Sequence, residues 1–370
     1  MKKIAILGST GSIGKNTIHI LKNNPGKFKA EFLTAFSQVD LLVEQAKALM
    51  PKTVCIVDES KYKDLKKALN GQGITCLAGE EALYNLVRQS DYDLVLNAIV
   101  GAAGMMSTIE TLKRGKDIAL SNKESLVMAG ELINAICEKT GAGLYPVDSE
   151  HSAIWQCLQG EKAEDVEKLI LTGSGGPFLK RDIHTFNTIT PDEALKHPNW
   201  SMGSKITIDS ATMFNKGLEL IEACHLFHLP ESKIDILIHP GSIVHSMVQF
   251  RDGSVKAQLG VPDMKVPIQY ALAYPEHLPS DWPRLDLAQL GTLHFEGPDT
   301  KRFPSLRIAR EALQAGGTFP AVMNMANEKA VRDFLARKIS FTDIFKHVEK
   351  ALAEHTGLDP MSVDDLLSLM

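Results

Sequence analysis

The first 23 residues constrain the fold most strongly. An apolar run from Lys3 to Leu7 stops at Gly8, the turn Gly8-Ser9-Thr10-Gly11-Ser12-Ile13-Gly14 follows, and Lys15 to Asn23 continues with helical periodicity. A strand that feeds a helix through such a turn begins a βα unit. Strands alternating with amphipathic helices in this way assemble into a mainly parallel sheet covered by helices. The alternation persists: Ala30 to Phe36 reads as a strand, Leu41 to Leu49 as a helix, and Thr53 to Val57, Leu94 to Ile99, Asp117 to Leu120 and Gly143 to Val147 as further strands.

Beyond residue 148 the pattern breaks. Loops rich in Gly, Pro, Ser and Asn, notably Thr172 to Phe178 and His197 to Gly203, separate strands expected at Lys168 to Leu171, Ile206 to Ile208, Ile234 to Ile238, Ile243 to Phe250 and Ser254 to Leu259. A helix is expected over Lys216 to Phe227, and the proline-bearing stretch Tyr274 to Leu290 reads as a linker. From Ser305 onward Ala, Leu, Glu and Lys recur with helical period. The expected class is α/β: a Rossmann-like dinucleotide-binding domain over 1–148, a central α+β domain over 149–274, a linker over 275–294 and a small helical domain over 295–370.

Composition narrows the function classes. The net charge is 40 − 45 = −5 and no run of Lys or Arg exceeds two, so the electrostatic footprint of a nucleic-acid binder is missing. The five cysteines (Cys55, Cys76, Cys137, Cys157, Cys224) are odd in number and never spaced C-x-x-C, which suggests neither a disulfide framework nor a zinc site and fits a reducing cytoplasm. Lys2-Lys3 before Ile4-Ala5-Ile6-Leu7 imitates a signal peptide, but the apolar run is too short for one. No apolar stretch approaches the roughly 18 residues of a membrane span. Small-molecule chemistry is the expectation.

Several segments have the residue types such chemistry needs. The first turn is G-x-x-G-x-x-G, placed where glycines let a pyrophosphate approach backbone N–H groups, although a plain strand-to-helix turn has the same glycines. An NAD binder usually carries Asp or Glu at the end of the second strand. Here the residues are Ala35-Phe36-Ser37-Gln38, without a carboxylate, and Ser37 and Gln38 offer hydrogen bonds to a 2′-phosphate; the reading is NADP. Asn97 to Gly104 ends a strand in small residues, as where backbone passes close to a ligand. Ser121-Asn122-Lys123-Glu124-Ser125 is either a solvated loop or part of the ligand crevice at the carboxyl ends of parallel strands.

Asp148 and Glu150, at i and i+2 of an extended segment, form a like-charge pair that costs free energy unless a cation neutralises it. Glu219 and Glu222, at i and i+3, share one face of the 216–227 helix. Hard oxygen ligands from two regions suit Mg²⁺ or Mn²⁺, while either pair alone also fits a solvated edge. His225 and His228 lack a third soft ligand and read as surface or core histidines. Thr172 to Phe178 offers free N–H groups and a hydroxyl, and Ser210 with Asn215-Lys216 reads as the start of a helix; both are anion-competent, implying a phosphorylated substrate distinct from the dinucleotide. The loop His197 to Gly203 reads as a lid or as a packed loop around Trp200.

In combination these segments resemble the 1-deoxy-D-xylulose 5-phosphate reductoisomerase family of the non-mevalonate isoprenoid pathway. The matching strings run in order along nearly the whole chain: LGSTGSIG (7–14), AIVGAAG (98–104), SNKESLV (121–127), PVDSEH (146–151), LTGSGGPF (171–178), HPNWSMG (197–203), DSATM (209–213), NKGLE (215–219) and VDDLL (363–367). The resemblance implies rearrangement of the substrate skeleton on a divalent metal, then reduction of the branched aldehyde by NADPH to 2-C-methyl-D-erythritol 4-phosphate. It implies Asp148, Glu150 and Glu219 as ligands of Mg²⁺, Mn²⁺ or Co²⁺, with Lys123 and His197 completing the catalytic set. It implies Ser174, Ser210, Asn215 and Lys216 around the phosphate, and Ser149, Lys123 and His197, with Glu219, on the sugar.

For the dinucleotide the resemblance implies Thr10, Gly11, Ser12, Ile13, Asn122, Glu124 and Gly203, to which the residues after the second strand add Gln38 at the 2′-phosphate position. Trp200 and Met202 would form the lid, and the protein would be a cytoplasmic homodimer. Family members often carry Gly, a basic residue and Asn after the second strand; Phe36-Ser37-Gln38 departs from this and predicts a weaker preference for NADPH over NADH. Two rival readings are a metal-dependent decarboxylating dehydrogenase, which would want an Arg cluster that these motifs lack, and a non-catalytic dinucleotide-sensing module, which would not need the three carboxylates together.

Overall fold

The computed structural model describes residues 1–197, 200, 203–358 and 363–369. They form two compact units, where the sequence suggested three domains. The first unit comprises Met1–Ser125, Ile133–Asp148 and Met264–Ser280; the second comprises Leu126–Leu132, Ser149–Asp263 and Asp281–Met370.

In the first unit seven parallel strands, β1 (Lys2–Leu7), β2 (Phe28–Ala35), β3 (Thr53–Ile56), β4 (Thr75–Ala78), β5 (Leu94–Asn97), β6 (Asp117–Leu120) and β7 (Leu144–Pro146), run in the order β4-β3-β2-β1-β5-β6-β7. The order reverses direction at β1, so the carboxyl ends of β1 and β5 flank a topological switch point, the usual ligand crevice of an open α/β sheet. Both faces of the sheet are covered, which is why strands such as Ile4-Ala5-Ile6-Leu7 are apolar without alternation and fully buried. β4 was not anticipated: it is a short, only partly buried edge strand. The helix Lys265–Ala273 packs on the helix Ser12–Asn23, and the expected linker begins inside this unit.

The second unit has a four-stranded mixed sheet of β8 (Val166–Gly173), β9 (Ile234–Ile238), β10 (Val244–Phe250) and β11 (Val255–Leu259) in the order β11-β10-β8-β9. β8 and β9 are parallel, and β10 is antiparallel to both β8 and β11. The helices Ser305–Ala315, Phe319–Leu335 and Phe341–Glu354 do not make a core of their own. Their apolar faces (Ile308, Ala312, Val331, Phe334, Phe341, Phe345) join Leu169, Leu171, Ile236 and Val248 of the sheet in one cluster, which places the C-terminal helices in the same unit as the sheet.

One expected strand is a helix. Ile206 to Ile208 lies within the helix Ser204–Thr212, where Ile208 and Ala211, at i and i+3, enter the core cluster. Burial of a helical stripe outweighs the β-propensity of Ile-Thr-Ile. Among the described residues no helix is long and apolar enough to cross a membrane.

Candidate active site

The glycine-rich turn is shaped by two positions without room for a side chain. Gly8 has φ +77°, and a Cβ there would stand 2.8 Å from the carbonyl oxygen of Ala98 beyond β5; a Cβ on Gly14 would stand 2.3 Å from the carbonyl oxygen of Gly8. Gly11 has no such crowding, with its nearest neighbour at 3.5 Å, and it is exposed together with Ser12. The turn is therefore drawn against the end of β5 while Gly11, Ser12 and Ile13 face outward at the N-terminus of the helix Ser12–Asn23, where free N–H groups favour an anion. Thr10 is buried beneath them. Gln38 is exposed at the N-cap position of the helix Val39–Leu49, and Phe36 beside it is 70% exposed.

Asn122 holds two loops together. It caps the helix Lys123–Thr140 by accepting from the Ser125 N–H at 2.9 Å, and its amide donates to the carbonyls of Ile99 (2.8 Å) and Gly101 (2.7 Å) and to Glu124 (3.2 Å). Gly104 makes room for this amide, since a Cβ there would meet it at 2.8 Å. The small residues after β5 thus serve the Asn122 tie. Lys123 is buried, and its ammonium lies 2.6 Å from the Asp148 carboxylate.

In the second unit the acidic centre gathers around Lys216. Its buried ammonium contacts Glu150 at 2.7 Å and also Glu219, which additionally accepts from the Asn215 amide. Burial works against the Lys216 charge, but the Glu150 and Glu219 carboxylates outweigh it and hold its pKa above the ordinary value. Glu150 and Glu219 offer carboxylate oxygens within 4.8 Å of each other, and Asp148 precedes Glu150 by two residues. Ser149 donates to Glu150 at 2.6 Å. An all-oxygen set of converging carboxylates, only partly neutralised by one ammonium, fits a hard divalent cation.

The phosphate-competent segments converge on the same lysine. A Cβ on Gly173 would stand 2.8 Å from Cε of Lys216, and one on Gly176 (φ +69°) would stand 2.6 Å from the Ser210 carbonyl oxygen, so these glycines let the loop after β8 close on both. Ser174 accepts from the Gly176 N–H at 3.2 Å and lies 3.2 Å from Nε2 of His197. Ser210 does not begin a helix as expected: it sits near the end of Ser204–Thr212, while Asn215 and Lys216 fall in the first turn of Phe214–Phe227.

His197 receives the Trp200 N–H on Nδ1 at 2.9 Å, which leaves Nε2 to carry the ring proton toward Ser174. Burial lowers the pKa of His197, with Glu150 opposing, and it is neutral at pH 7. Gly203 is exposed at the N-cap position of the helix Ser204–Thr212. Met202, with Pro198, Asn199 and Ser201, lies outside the described residues.

Two residues join the site that the sequence reading did not select for it, His151 and His245. Glu222 turns to His151, 3.2 Å from its Nδ1, while Nε2 of His151 donates to the Glu219 carbonyl oxygen at 2.9 Å. Glu219 and Glu222 share a helix face but meet different partners. His245 on β10 is buried near the Trp200 ring, with centroids 6.3 Å apart, and its pKa is lowered by burial against the pull of Glu150. A histidine inside the alternating strand Val244–Phe250 was the available signal.

Comparison with known proteins gives the family of the chain. Residues 4–130 match the family model described as 1-deoxy-D-xylulose 5-phosphate reductoisomerase, 144–227 match its C-terminal domain, and 259–370 match a further model described as the DXP reductoisomerase C-terminal domain. A relative from Chloroherpeton thalassium, named 1-deoxy-D-xylulose 5-phosphate reductoisomerase, is 54% identical over 369 residues, 100% of this chain and 95% of its own. The solved structure of the Zymomonas mobilis reductoisomerase in complex with NADPH is 44% identical with a TM-score of 0.94, covering 100% of this chain and 96% of that one. A DOX-P reductoisomerase structure in complex with NADPH, fosmidomycin and magnesium is 44% identical with the same TM-score of 0.94, covering 100% of this chain and 95% of that one. With matches spanning both units and the loops around Lys216, the chain belongs to the 1-deoxy-D-xylulose 5-phosphate reductoisomerase family.

Proposed function

We propose that this protein converts 1-deoxy-D-xylulose 5-phosphate to 2-C-methyl-D-erythritol 4-phosphate with NADPH and a divalent cation. The observation that carries the reading is the Glu150–Lys216–Glu219 centre, set beside the Ser174 and Ser210 loops in a chain of this family. Asp148, Glu150 and Glu219 would hold the cation, and Thr10, Gly11, Ser12, Ile13, Gln38, Asn122, Glu124 and Gly203 the dinucleotide. When bound, the cation supplies Lewis-acid polarisation of substrate oxygens and NADPH supplies the hydride.

The chain's own residues bind and orient. Ser174, Ser210, Asn215 and Lys216 present hydroxyl, amide and ammonium donors to the substrate phosphate, and Lys216 also tempers the repulsion between Glu150 and Glu219. Ser149, Lys123 and neutral His197 offer hydrogen bonds to the sugar oxygens. Trp200, tied to His197 through its N–H, adds an apolar cover that excludes water when substrate is held. A homodimer and a cytoplasmic location belong to the same proposal. The uncovered edge strand β11, with Val255 49% exposed, supports the first, and five unpaired thiols support the second.

NADPH oxidation followed with 1-deoxy-D-xylulose 5-phosphate, with and without Mn²⁺, tests the activity. Metal-dependent oxidation is expected, and its absence from a folded preparation refutes the proposal. Carbon dioxide release from a 2-hydroxy acid would favour the decarboxylating dehydrogenase. Undiminished NADPH binding with no turnover of any sugar phosphate would favour a sensing module.

A further inference from the structure

The helix Ser204–Thr212 and the helix Phe214–Phe227 meet at a corner where Met213 takes a left-handed conformation, φ 63°. This corner presents Ser210 on one side and Asn215, Lys216 and Glu219 on the other. Its rear is held by polar contacts from the C-terminal helices. Asp209, one residue before Ser210, is 1% exposed, and its carboxylate accepts from the Asn327 amide of the helix Phe319–Leu335 at 2.8 Å and from Lys205 at 2.7 Å. Asn327 is fully buried. Ser305, at the start of Ser305–Ala315, donates to the Thr212 carbonyl oxygen at 2.7 Å. Gly217 lets that helix approach, since a Cβ there would stand 2.8 Å from Cβ of Ala309.

A buried carboxylate is a costly way to fill a core, because its desolvation is repaid only by well-placed donors. An apolar residue at 209 would pack there without that cost. What the carboxylate adds is direction. Successive helical residues point about 100° apart, so fixing Asp209 onto Asn327 fixes the rotation of the helix and hence the orientation of Ser210 toward the Gly176 loop. Lys205, just beyond the 197–203 loop, is anchored to the same carboxylate, so the end of that loop shares the post.

We infer that Asn327 and Asp209 form a positioning pair through which the C-terminal helices set the substrate-phosphate pocket. The inference rests on the proposed reductoisomerase reading and assigns to Asn327 a function in substrate affinity without contact to substrate. Neither residue belongs to the ligand-contacting set.

The test uses the full-length protein and four forms: wild type, Asn327→Ala, Asp209→Asn, and the exchange Asp209→Asn with Asn327→Asp, which turns the hydrogen bond around while keeping its two partners. Asn327→Ala is expected to raise KM for 1-deoxy-D-xylulose 5-phosphate by about tenfold, the effect of one lost charge-assisted hydrogen bond. Its kcat should stay within about threefold and its KM for NADPH unchanged, the pattern of lost uniform binding. Asp209→Asn keeps an acceptor oxygen for the Asn327 amide and should lose less than Asn327→Ala, and the exchange should recover most of the affinity lost in Asn327→Ala.

Stabilisation against thermal unfolding by inorganic phosphate is a second readout that needs no turnover: wild type is stabilised, and Asn327→Ala much less so. If Asn327→Ala does not fold, Asn327→Leu, which is close in size and has no donor, takes its place. A wild type that binds phosphate without turning over the sugar phosphate refutes the enzymatic reading alone, and the phosphate shift still tests the pair. Three results overturn the inference: an unchanged KM and phosphate shift in a folded Asn327 variant without a donor, an equal rise in KM for NADPH, or an exchange variant no better than Asn327→Ala.

Discussion

Replacing Lys216 by Met keeps most of the stem that lies against Gly173 and removes the charge between Glu150 and Glu219. Side-chain exposure is 4% for Lys216, 1% for Glu219 and 17% for Glu150, so the Lys216–Glu219 contact is little screened and the Glu150 contact somewhat more. Removing one partner of a buried ion pair costs about 3–5 kcal/mol. Because Glu150 keeps some hydration, about 3 kcal/mol is expected in metal-free buffer at neutral pH. Mn²⁺ restores the missing positive charge, and a ligand at about a hundred times its dissociation constant contributes about 2.7 kcal/mol to stability. Denaturant unfolding of both proteins, with chelator and with saturating Mn²⁺, measures the two quantities. The variant should be about 3 kcal/mol less stable than wild type in chelator and should gain more from Mn²⁺. A loss below about 1 kcal/mol, the range of an exposed pair, or a smaller gain from Mn²⁺ than wild type shows, would refute the account of Lys216 as the charge that holds the carboxylates together.

Gly176→Ala places a Cβ 2.6 Å from the Ser210 carbonyl oxygen at φ +69°; left-handed strain alone costs about 1–2 kcal/mol, so melting temperature should fall and KM for the sugar phosphate rise, and a variant unchanged in both would remove the loop from the pocket. Ser37→Arg should raise the kcat/KM preference for NADPH over NADH by about tenfold, as a new charge-assisted contact to the 2′-phosphate would; a ratio that barely moves counts against Ser37 and Gln38 as the discriminating positions. Burial, aided by the charge of His228, pushes the His225 pKa down to about 4. The unfolded chain then takes up this proton first, so stability is complete above pH 6.5 and declines as pH falls through that value toward about 4. His225→Gln should flatten this slope in unfolding midpoints measured across the window, and an unaltered slope would mean that other groups set it.

The first unit was largely legible because its signal is local. Leu7-Gly8 and Asn97-Ala98 close strands with small residues, and burial on both faces of a parallel sheet leaves continuous apolar runs that sequence displays directly. β4 escaped notice because Thr75–Ala78 is short and lies at the sheet edge, where only one side of the chain needs apolar cover. Ile206-Thr207-Ile208 shows the opposite failure: the local preference was for a strand, and burial of Ile208 and Ala211 against a core built largely from residues far along the chain decided for a helix. The C-terminal helices were recognised as helices, but their membership in the second unit depends on which apolar faces meet, which periodicity does not encode.

At the site, residue types were legible and partnerships were not. Glu219 and Glu222 are equivalent by spacing, both acidic and both on one face of a helix. Their distinction comes from what the fold brings to each: Lys216 and Asn215, three and four residues earlier on the same helix, take Glu219, while His151 from the helix Ser149–Cys157 takes Glu222. His151 also donates to the Glu219 carbonyl, so the residue that occupies Glu222 steadies the backbone of its neighbour. This difference in partners, rather than any difference in position along the helix, separates the two carboxylates, and the proposed place of Glu219 in the cation site rests on the Glu150 carboxylate lying within 4.8 Å of its own.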